Sequence, residues 1–409
     1  MADVTVYATN SEASAKYGLR GPVWTSSSVC YVFFTDGQNF YYKKSTDGGA
    51  TFGSAVTIGL DSDTWVLSPA IWFDKWTPGD TGTKIHIAYH REVGGDDQVY
   101  RSLDTASDTL SSEVTISSLA YADISQVTTG FSITKARGGN LYVAMFGGDI
   151  ADSFYRSTDG GANWTSRNAG YWESDNDDTP YCILMPGNES DNQDIYMVFG
   201  DQSADEVSVK HYDDSANTWP TELSIATSVT IGWVGYFVQQ VAVSIRHSDN
   251  HLIIAAATAV DNAAADLIVY DVTDISTKTA KTNIITNADD WSGPTVLIDQ
   301  NTDDIYVAWL GKGDGTGTFG SSIDIYYSVS TDGGSTWGTA TKYNTTAGDY
   351  RWIAAGVSTP GAAAGRFAPT FWSNATDDLF INSGNSVSIS AGGGGTTTRR
   401  YSLSLTGVG

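Results

Sequence analysis

The sequence of 409 residues has little positive charge and no long apolar run. Lysine and arginine together number 22 against 47 aspartates and glutamates, which gives a formal net charge of -25. A chain so negative repels polyanions, which argues against nucleic acid and anionic membrane surfaces as partners. No segment reaches the roughly 18 apolar residues that a membrane-spanning helix needs. We therefore expect a soluble protein without membrane insertion.

No secretory signal is visible in this sequence. Met1 is followed directly by the strand-like VTVYAT, without a basic region and an apolar stretch. The compartment is left open by the sequence, extracellular and virion-associated locations included, and so is the oligomeric state.

Helical periodicity is absent as well, since no apolar stripe repeats every 3.6 residues over a helical length. Short alternating runs such as YVFFTD, KIHIAYH, DIYMVFG and DIYVAWL predict half-buried strands instead. Aromatic residues reach 12% and glycine is frequent. This composition favours an all-β chain.

What the sequence does contain is an octapeptide in three near-identical copies: STDGGATF at 45–52, STDGGANW at 157–164 and STDGGSTW at 330–337. Degenerate copies begin at Ser102, Tyr212, Tyr270 and Ser388, so the spacing is 55 to 60 residues throughout. A period of this length, with about four short strands in each unit, is typical of a β-propeller. We predict a single all-β domain, a seven-bladed β-propeller of four-stranded antiparallel blades, with a six-bladed propeller as the alternative.

The predicted blades span 18–60, 64–118, 126–168, 178–227, 233–286, 291–344 and 350–409, and an N-terminal strand at 3–9 should help to close the ring. In the last unit FAPTFWSN, DDLFINS, SVSIS and RRYSLSL are expected as strands one to four. Cys30 and Cys182 fall in units one and four, which are not neighbours. A disulfide between them would need their Cα atoms to be within about 7 Å, so we expect two free, packed thiols.

Each residue type in the octapeptide has a structural use. The aspartates can accept backbone N–H bonds within a turn, the glycines permit positive φ, and the rings can bury against the blade. The residues concerned are Ser45, Asp47, Gly49 and Phe52, Ser157, Asp159, Gly161 and Trp164, and Ser330, Asp332, Gly334 and Trp337. We predict that these turns are structural and not catalytic.

The pattern S-x-D-x-G-x-[TN]-[WF], at constant spacing along the whole chain, resembles the Asp-box, or BNR repeat, of the sialidase superfamily. The resemblance implies a propeller in which these turns join the third and fourth strands of each blade. It also implies that ligands bind at the central axis on the opposite face. Sialidases have six blades, whereas seven units are counted here.

Two positions of the first unit extend this resemblance. Arg20-Gly21-Pro22 matches the R-x-P motif that opens blade one of sialidases, whose arginine holds the substrate carboxylate as a planar bidentate donor. Asp36, nine residues before the first octapeptide, matches the acid/base aspartate. The other two arginines of the family have no counterpart at the entries to units four and five. Arg20 can also be interpreted as a strand-entry residue, and Asp36 as a hairpin turn.

The position of each turn in the order of strands selects further candidates, because it determines the face of the propeller on which the turn lies. In a four-stranded meander the second-to-third turns and the crossings between blades lie on the face away from the octapeptides, which is the face for ligands. His90 and Arg91 end the second strand of unit two there. A histidine beside an arginine could abstract a proton next to a uronate carboxylate, as in propeller-fold polysaccharide lyases. A polar hairpin end is the alternative interpretation.

The remaining candidates for the ligand face are two arginines and several aromatic residues in the crossings. Aromatic faces stack on sugar rings, although such rings can also fill the core between blades. These candidates are Arg351, Arg366, Trp65, Tyr236, Trp291 and Trp352.

Signals for a metal are weak, because no three ligands have the spacing of a zinc site. The loops KGDGTG and ESDNDD could hold a structural Ca²⁺ through oxygen ligands, but neither has the EF-hand spacing. No cofactor is required by the sequence. The leading hypothesis is a glycan-recognising propeller with a carbohydrate ligand; the alternatives are a divergent glycoside hydrolase using Asp36, a lyase using His90 and Arg91, and a protein-binding scaffold.

Overall fold

In the part of the chain that the structure describes, the strands form seven antiparallel blades, each a path of four strands, and one further two-stranded sheet. The computed structural model describes residues 3–8, 19–36, 39–60, 69–91, 97–118, 130–146, 153–167, 182–201, 204–227, 241–257, 267–285, 293–311, 324–346, 348, 350–359 and 365–389. Within these ranges the helical structure is one short 3₁₀ turn at Asp74–Trp76, and no helix is long and apolar enough to cross a membrane. The prediction of an all-β, seven-bladed propeller is confirmed.

Six blades follow one another along the chain, with strands numbered in chain order after β1 (Val4–Tyr7). Blade one contains β2 (Arg20–Trp24), β3 (Cys30–Thr35), β4 (Asn39–Ser45) and β5 (Val56–Leu60). Blade two contains β6 (Ala70–Phe73), β7 (Lys84–Arg91), β8 (Asp97–Asp104) and β10 (Val114–Ser117), with β9 (Thr109–Leu110) also paired to β8. Blade three contains β11 (Gly130–Lys135), β12 (Leu141–Phe146), β13 (Ser153–Ser157) and β14 (Thr165–Ser166). Blade four contains β15 (Cys182–Pro186), β16 (Ile195–Asp201), β17 (Glu206–Asp213) and β18 (Thr218–Thr227). Blade five contains β19 (Val241–Arg246), β20 (His251–Ala257), β21 (Leu267–Asp274) and β22 (Thr277–Ala280). Blade six contains β23 (Thr295–Ile298), β24 (Ile305–Gly311), β25 (Asp324–Ser330) and β26 (Thr341–Lys342).

Blade seven is assembled from two distant parts of the chain. Its strands are β27 (Tyr350–Ala354), β29 (Thr370–Ser373), β30 (Asp378–Ile381) and β1. The strand β27 neighbours β2 of blade one, and β1 pairs with β30 at the other edge, Val4 opposite Ile381. The Asp3 carboxylate accepts hydrogen bonds from the Asn382 amide at 2.7 Å and from the Thr346 N–H at 3.1 Å. The N-terminal strand therefore completes the last blade.

The predicted order of strands in the seventh unit is wrong. FAPTFWSN and DDLFINS supply β29 and β30, the second and third strands, because β27 takes the first position. SVSIS forms β31 (Val387–Ile389), which pairs with β28 (Gly365–Phe367) in a separate two-stranded sheet. RRYSLSL lies outside the described residues.

Many turns between strands of the same blade have an aspartate or asparagine in the left-handed region. Asp108, Asn217, Asn250, Asp303 and Asp377 have φ between 54° and 61°. Short polar side chains tolerate this conformation better than other non-glycine residues. Two of these residues, Asp108 and Asn217, lie in the degenerate octapeptides. The abundance of aspartate in the sequence is thus partly a requirement of its turns.

The core lies between neighbouring blades, where side chains of the strands interdigitate. Tyr142, Phe154, Met197 and Tyr212 fill the space between blades three and four, and Trp309 is fully buried between blades five and six. Each such cluster removes apolar surface from water, which stabilises the ring as a whole. Cys30 and Cys182 are both buried and free, as expected.

Candidate functional site

The octapeptides form three equivalent turns, which we call the octapeptide turns (45–52, 157–164 and 330–337). In the first, the Ser45 hydroxyl donates to Asp47 at 2.8 Å and accepts the Gly49 N–H at 2.9 Å. The Asp47 carboxylate also accepts the Thr51 N–H at 2.9 Å. Hydrogen bonds from Thr51 lower the pKa of Asp47 to about 2. The serine hydroxyl and the aspartate carboxylate of the motif are thus engaged within their own turn, as a structural role requires.

The first-to-second connections lie on the same face as the octapeptide turns. In blade one the Gly48 N–H donates to Ser28 O at 2.8 Å, and in blade two the Thr105 N–H donates to Thr83 O at 2.9 Å. Each of these bonds joins a first-to-second connection to a third-to-fourth turn. The connections that contain Trp76 in blade two and His247 in blade five therefore belong to this face.

Contacts between blades that are not neighbours cross the central axis and obstruct it on the face of the octapeptide turns. The Trp76 indole N–H donates to Ser358 O at 3.1 Å, and His247 Nε2 lies 3.1 Å from Trp76 O. The Ser244 hydroxyl donates to Val357 O at 2.5 Å. These bonds join blades two, five and seven. A ligand on the axis would have to approach from the opposite face.

Arg20 and Asp36 lie at the same end of the first hairpin. Arg20 opens β2 opposite Phe33, and Asp36 follows the end of β3. The Arg20 guanidinium donates to Leu19 O at 2.7 Å, and burial lowers its pKa to about 10. The Asp36 carboxylate is partly exposed and accepts the Asn39 N–H at 2.8 Å. Both residues are on the face opposite the octapeptide turns.

The structure does not bring His90 and Arg91 together. Successive residues of a strand point to opposite faces. Arg91 shares a face of β7 with Tyr89, and both bind Glu113, at 2.6 Å in each case. Arg91 also pairs with Asp97. His90 points to the other face and is 4% exposed. The arrangement expected for a uronate lyase, with the imidazole and the guanidinium side by side, is absent.

Arg366 lies on the face of the octapeptide turns, so the expectation that it faces the ligand is wrong. Its guanidinium donates to Ser27 O and to the Ser386 hydroxyl, each at 2.7 Å, and lies 5.8 Å from the centre of the Trp24 ring. It also approaches Gly48 of the first octapeptide turn. The reason is the altered strand order of the seventh unit, which places Arg366 in β28 instead of before a first strand.

The other candidates for the ligand face are only partly described. Trp352 is 6% exposed within the core cluster of blades six and seven, so its ring offers little surface to a ligand. Its φ of 53° is unusual for a bulky residue. Arg351 lies in β27, opposite Trp372. Trp65, Tyr236 and Trp291 lie outside the described residues, as do the loops KGDGTG and ESDNDD.

Two tyrosines at the junction of blades seven and one were missed by the sequence analysis. Tyr7 of β1 and Tyr41 of β4 are partly exposed, and both pack on the buried Phe34. The alternation in FYYKKS indicates which face Tyr41 occupies. Nothing in the sequence indicates that Tyr7 lies beside it, because the edge at which β1 pairs could not be predicted.

Three carboxylates of blade four lie close enough to hold a metal ion. Oxygen atoms of Asp201, Glu206 and Glu222 are within 4.8 Å of one another. Glu206 accepts hydrogen bonds from the hydroxyls of Ser208 at 2.9 Å and Ser224 at 2.7 Å. Carboxylate and hydroxyl oxygens suit a hard cation such as Ca²⁺.

Comparison with known proteins identifies the class of fold. No protein-family model matches the chain, and no curated protein matches it. Among solved structures, the chain is similar to a polysaccharide lyase, an ulvan lyase, with 11% identity, a TM-score of 0.56 and coverage of 93% of this chain and 94% of that one. It is similar to the hydrazine synthase of Kuenenia stuttgartiensis with 10% identity, a TM-score of 0.52 and coverage of 92% and 98%. An intramolecular trans-sialidase of Ruminococcus gnavus matches at 11% identity with a TM-score of 0.46 over 76% and 93%. At such low identity the two matches with a TM-score above 0.5 show a similar fold alone.

Proposed function

We propose that this protein is a glycan-recognising propeller of the sialidase superfamily, which binds carbohydrate on its axis at the face opposite the octapeptide turns. The closure of the axis by Trp76, His247 and Ser358 carries the proposal, because it leaves the opposite face as the side of approach. Concave sites at the mouths of such barrels and rings are the usual places for small ligands.

Further support comes from the first blade and from a protein of the same fold. Arg20 resembles the arginine of the R-x-P motif and Asp36 the acid/base aspartate of sialidases, and both belong to the end of the first hairpin that lies away from the octapeptide turns. The ulvan lyase is, by its name, a protein that acts on a polysaccharide. Since a shared fold does not determine function, a sugar ligand is proposed here from the site and the motif together.

A second candidate function is a glycoside hydrolase that uses Asp36 as acid/base. Its partly exposed carboxylate is held in position by Asn39, which is compatible with proton transfer to a bound substrate. The lyase mechanism is disfavoured, because Arg91 is bound to Glu113 and Asp97.

The test is a glycan array followed by a turnover assay on fluorogenic glycosides, sialosides and uronate polysaccharides. We expect the wild type to bind at least one glycan and Arg20→Ala to lose that binding. Arg366→Ala, which alters an arginine of the opposite face, is the matched control and should retain it. Turnover that disappears in Asp36→Asn would establish the hydrolase. No binding to any glycan at low and moderate salt would overturn the proposal in favour of a protein-binding scaffold.

A further inference from the structure

Buried polar side chains form a chain of hydrogen bonds between blades two and three, on the face of the octapeptide turns. His86 of β7 has a partner at each ring nitrogen: Nε2 lies 2.8 Å from Asp74 Oδ1, and Nδ1 lies 2.7 Å from the Tyr100 hydroxyl. The Tyr100 hydroxyl is also 3.2 Å from Gly160 O, in the octapeptide turn of blade three. We call Asp74, His86, Tyr100 and Gly160 the histidine relay. Its three side chains are buried.

Packing holds the Tyr100 ring against the octapeptide turn of blade three. The centre of the Trp164 ring lies 5.3 Å from that of Tyr100. A side-chain carbon added at Gly161 would collide with the Tyr100 ring, and the φ of 95° at Gly161 also favours glycine. The ring is therefore fixed in a position from which its hydroxyl reaches both His86 and Gly160.

The charged groups that face His86 come from several elements. Asp74 belongs to the 3₁₀ turn, and Lys135 of β11 donates to its carboxylate at 2.6 Å and pairs with Asp80 at 2.7 Å. The Lys84 N–H donates to the other oxygen of Asp74 at 2.8 Å. Burial opposes the charge of Asp74, but hydrogen bonds from His86 and Lys135 hold the pKa of Asp74 below its usual range. The carboxylate is therefore ionised and can only accept hydrogen bonds.

Burial lowers the pKa of His86 below 6.5, and the charges of Lys135 and Lys84 lower it further, although Asp74 opposes the shift. His86 is therefore neutral at neutral pH and takes up a proton only in acid. A neutral imidazole has one N–H, which belongs on Nε2 because Asp74 can only accept. The Nδ1 atom is then an acceptor, and Tyr100 donates its single hydrogen to it. No hydrogen is left for Gly160 O.

We propose that the histidine relay is a proton-dependent switch, in which protonation of His86 transfers the hydrogen bond donated by Tyr100 from His86 to Gly160 O. The imidazolium has an N–H on both nitrogens, so Nδ1 donates to the Tyr100 oxygen. The tyrosine hydrogen is thereby released to Gly160 O. One proton is taken from solvent, one N–H bond forms, and no other covalent bond changes. The switch is independent of the proposed glycan recognition.

The switch changes the connection between two blades. In the neutral form Tyr100 only packs against the turn of blade three, and the carbonyl of the exposed Gly160 is left to solvent. In the charged form a side chain of blade two is bonded to that turn. Because the folded pKa of His86 is lowered, the free energy of unfolding still falls as the pH decreases below 6.5. The bond to Gly160 O offsets part of this loss in the charged form.

The experiment is an NMR titration of the full chain labelled with ¹⁵N and ¹³C, from about pH 7.5 to the onset of acid unfolding. At neutral pH we expect the hydrogen on His86 Nε2 and an unprotonated Nδ1. On acidification the Nδ1 resonance should move to that of a protonated nitrogen, and the carbonyl ¹³C resonance of Gly160 should move with the same midpoint. Gly333, the equivalent glycine of the octapeptide turn in blade six, is the internal control and should not follow this midpoint.

Tyr100→Phe keeps the ring and removes the hydroxyl. The Gly160 carbonyl should then no longer respond to the protonation of His86. The pKa of His86 should also fall by roughly one further unit, because the charged imidazole loses a stronger hydrogen bond than the neutral one does. Tyr343→Phe is the matched control, since the buried Tyr343 hydroxyl donates to Asn382 O of another blade, also at 3.2 Å. It should leave the titrations of His86 and Gly160 unchanged.

Four results would overturn the switch. The Gly160 carbonyl could stay constant while His86 becomes charged, or it could move together with that of Gly333. A hydrogen on Nδ1 at neutral pH would mean that Tyr100 donates to Gly160 at every pH. Unfolding before His86 is protonated would show that the folded junction has no charged form. If Tyr100→Phe did not fold, the wild-type titration with Gly333 as control would still decide among these outcomes.

Discussion

Buried hydroxyl groups of this propeller differ in whether they have hydrogen-bond partners. The hydroxyls of Ser45, Ser157 and Ser330 are buried, and each donates to an aspartate and accepts a glycine N–H. By contrast, Thr134 Oγ1 is fully buried and has no hydrogen-bond partner in the part of the chain that the structure describes. The same chemical group is therefore stabilising in one place and costly in another.

Ser157→Ala should lower the free energy of unfolding by about 1–2 kcal/mol, because it leaves the Gly161 N–H and the Asp159 carboxylate without the serine. Urea unfolding followed by tryptophan fluorescence measures the change. Ser215→Ala removes an exposed hydroxyl from a degenerate octapeptide and should change stability by less than about 0.5 kcal/mol. Equal losses in both variants would contradict a special role for the buried serine.

Thr134→Val should leave the free energy of unfolding unchanged or raise it by up to about 1 kcal/mol, since valine has the same shape and no unpaired hydroxyl. Thr370→Val is the matched comparison: this buried hydroxyl is bonded to Gly21 O at 3.2 Å. It should cost about 1 kcal/mol. The same urea experiment serves, and a loss at Thr134 as large as that at Thr370 would show that its hydroxyl is bonded in solution.

At the scale of elements, the strand β1 and the axial segment around Ser358 hold distant blades together. Val6 of β1 is 1% exposed between blades seven and one. The segment 356–359 contacts blades one, two, five and six, through Pro22, Trp76, Ser244 and Ile298. The strand β1 completes blade seven from a distant part of the chain, the segment 356–359 lies outside the strands of the blades, and both connect one blade to others.

Val6→Asp should lower the free energy of unfolding by about 3 kcal/mol or more, because it places a charge in an apolar junction. Thr5→Asp alters the adjacent, exposed residue of the same strand and should have little effect. Differential scanning calorimetry of both variants measures the difference. If Val6→Asp melted as the wild type does, β1 would not contribute to the stability of the ring.

Stability should depend on pH through His247. Burial lowers the pKa of this histidine from 6.5 to about 4, although the Trp76 carbonyl partly opposes the shift. Between these two pH values the unfolded chain binds a proton that the folded chain does not, so the free energy of unfolding falls as the pH decreases. The loss from this residue is at most about 3 kcal/mol. Urea unfolding from pH 7 to pH 4 should show a shallower decline for His247→Gln, and parallel curves would contradict this assignment.

For the whole molecule, the net charge of -25 is the dominant electrostatic feature. Self-repulsion of this size destabilises the folded state and is screened by salt. The melting temperature should therefore rise when NaCl is increased from about 0.02 M to about 0.5 M, at which the Debye length is only a few Å. Calorimetry measures it, and a melting temperature that fell with salt would show that specific ion pairs outweigh the repulsion.

The repeat period and the alternating strands predicted the number and type of blades, because both are local properties of the sequence. The assignment of strands to blade seven was predicted wrongly, since the pairing of Val4 with Ile381 depends on residues far apart in the chain. Because of the same error, Arg366 was predicted on the wrong face of the propeller. At the site, Arg20 and Asp36 could be named from a motif, whereas Tyr7 could not, because its neighbours come from another blade.

The pairing of β1 with β30 also bears on how the protein is made. On the ribosome, β1 emerges before β30 and must wait without its partner until residues 378–381 have been translated. Blades one to six can assemble before then, but the ring of blades cannot close. Contacts between residues so far apart in the sequence form slowly. The nascent chain thus keeps an exposed sheet edge while blades one to six are translated, and a chaperone that shields such edges would be most useful to it in that interval.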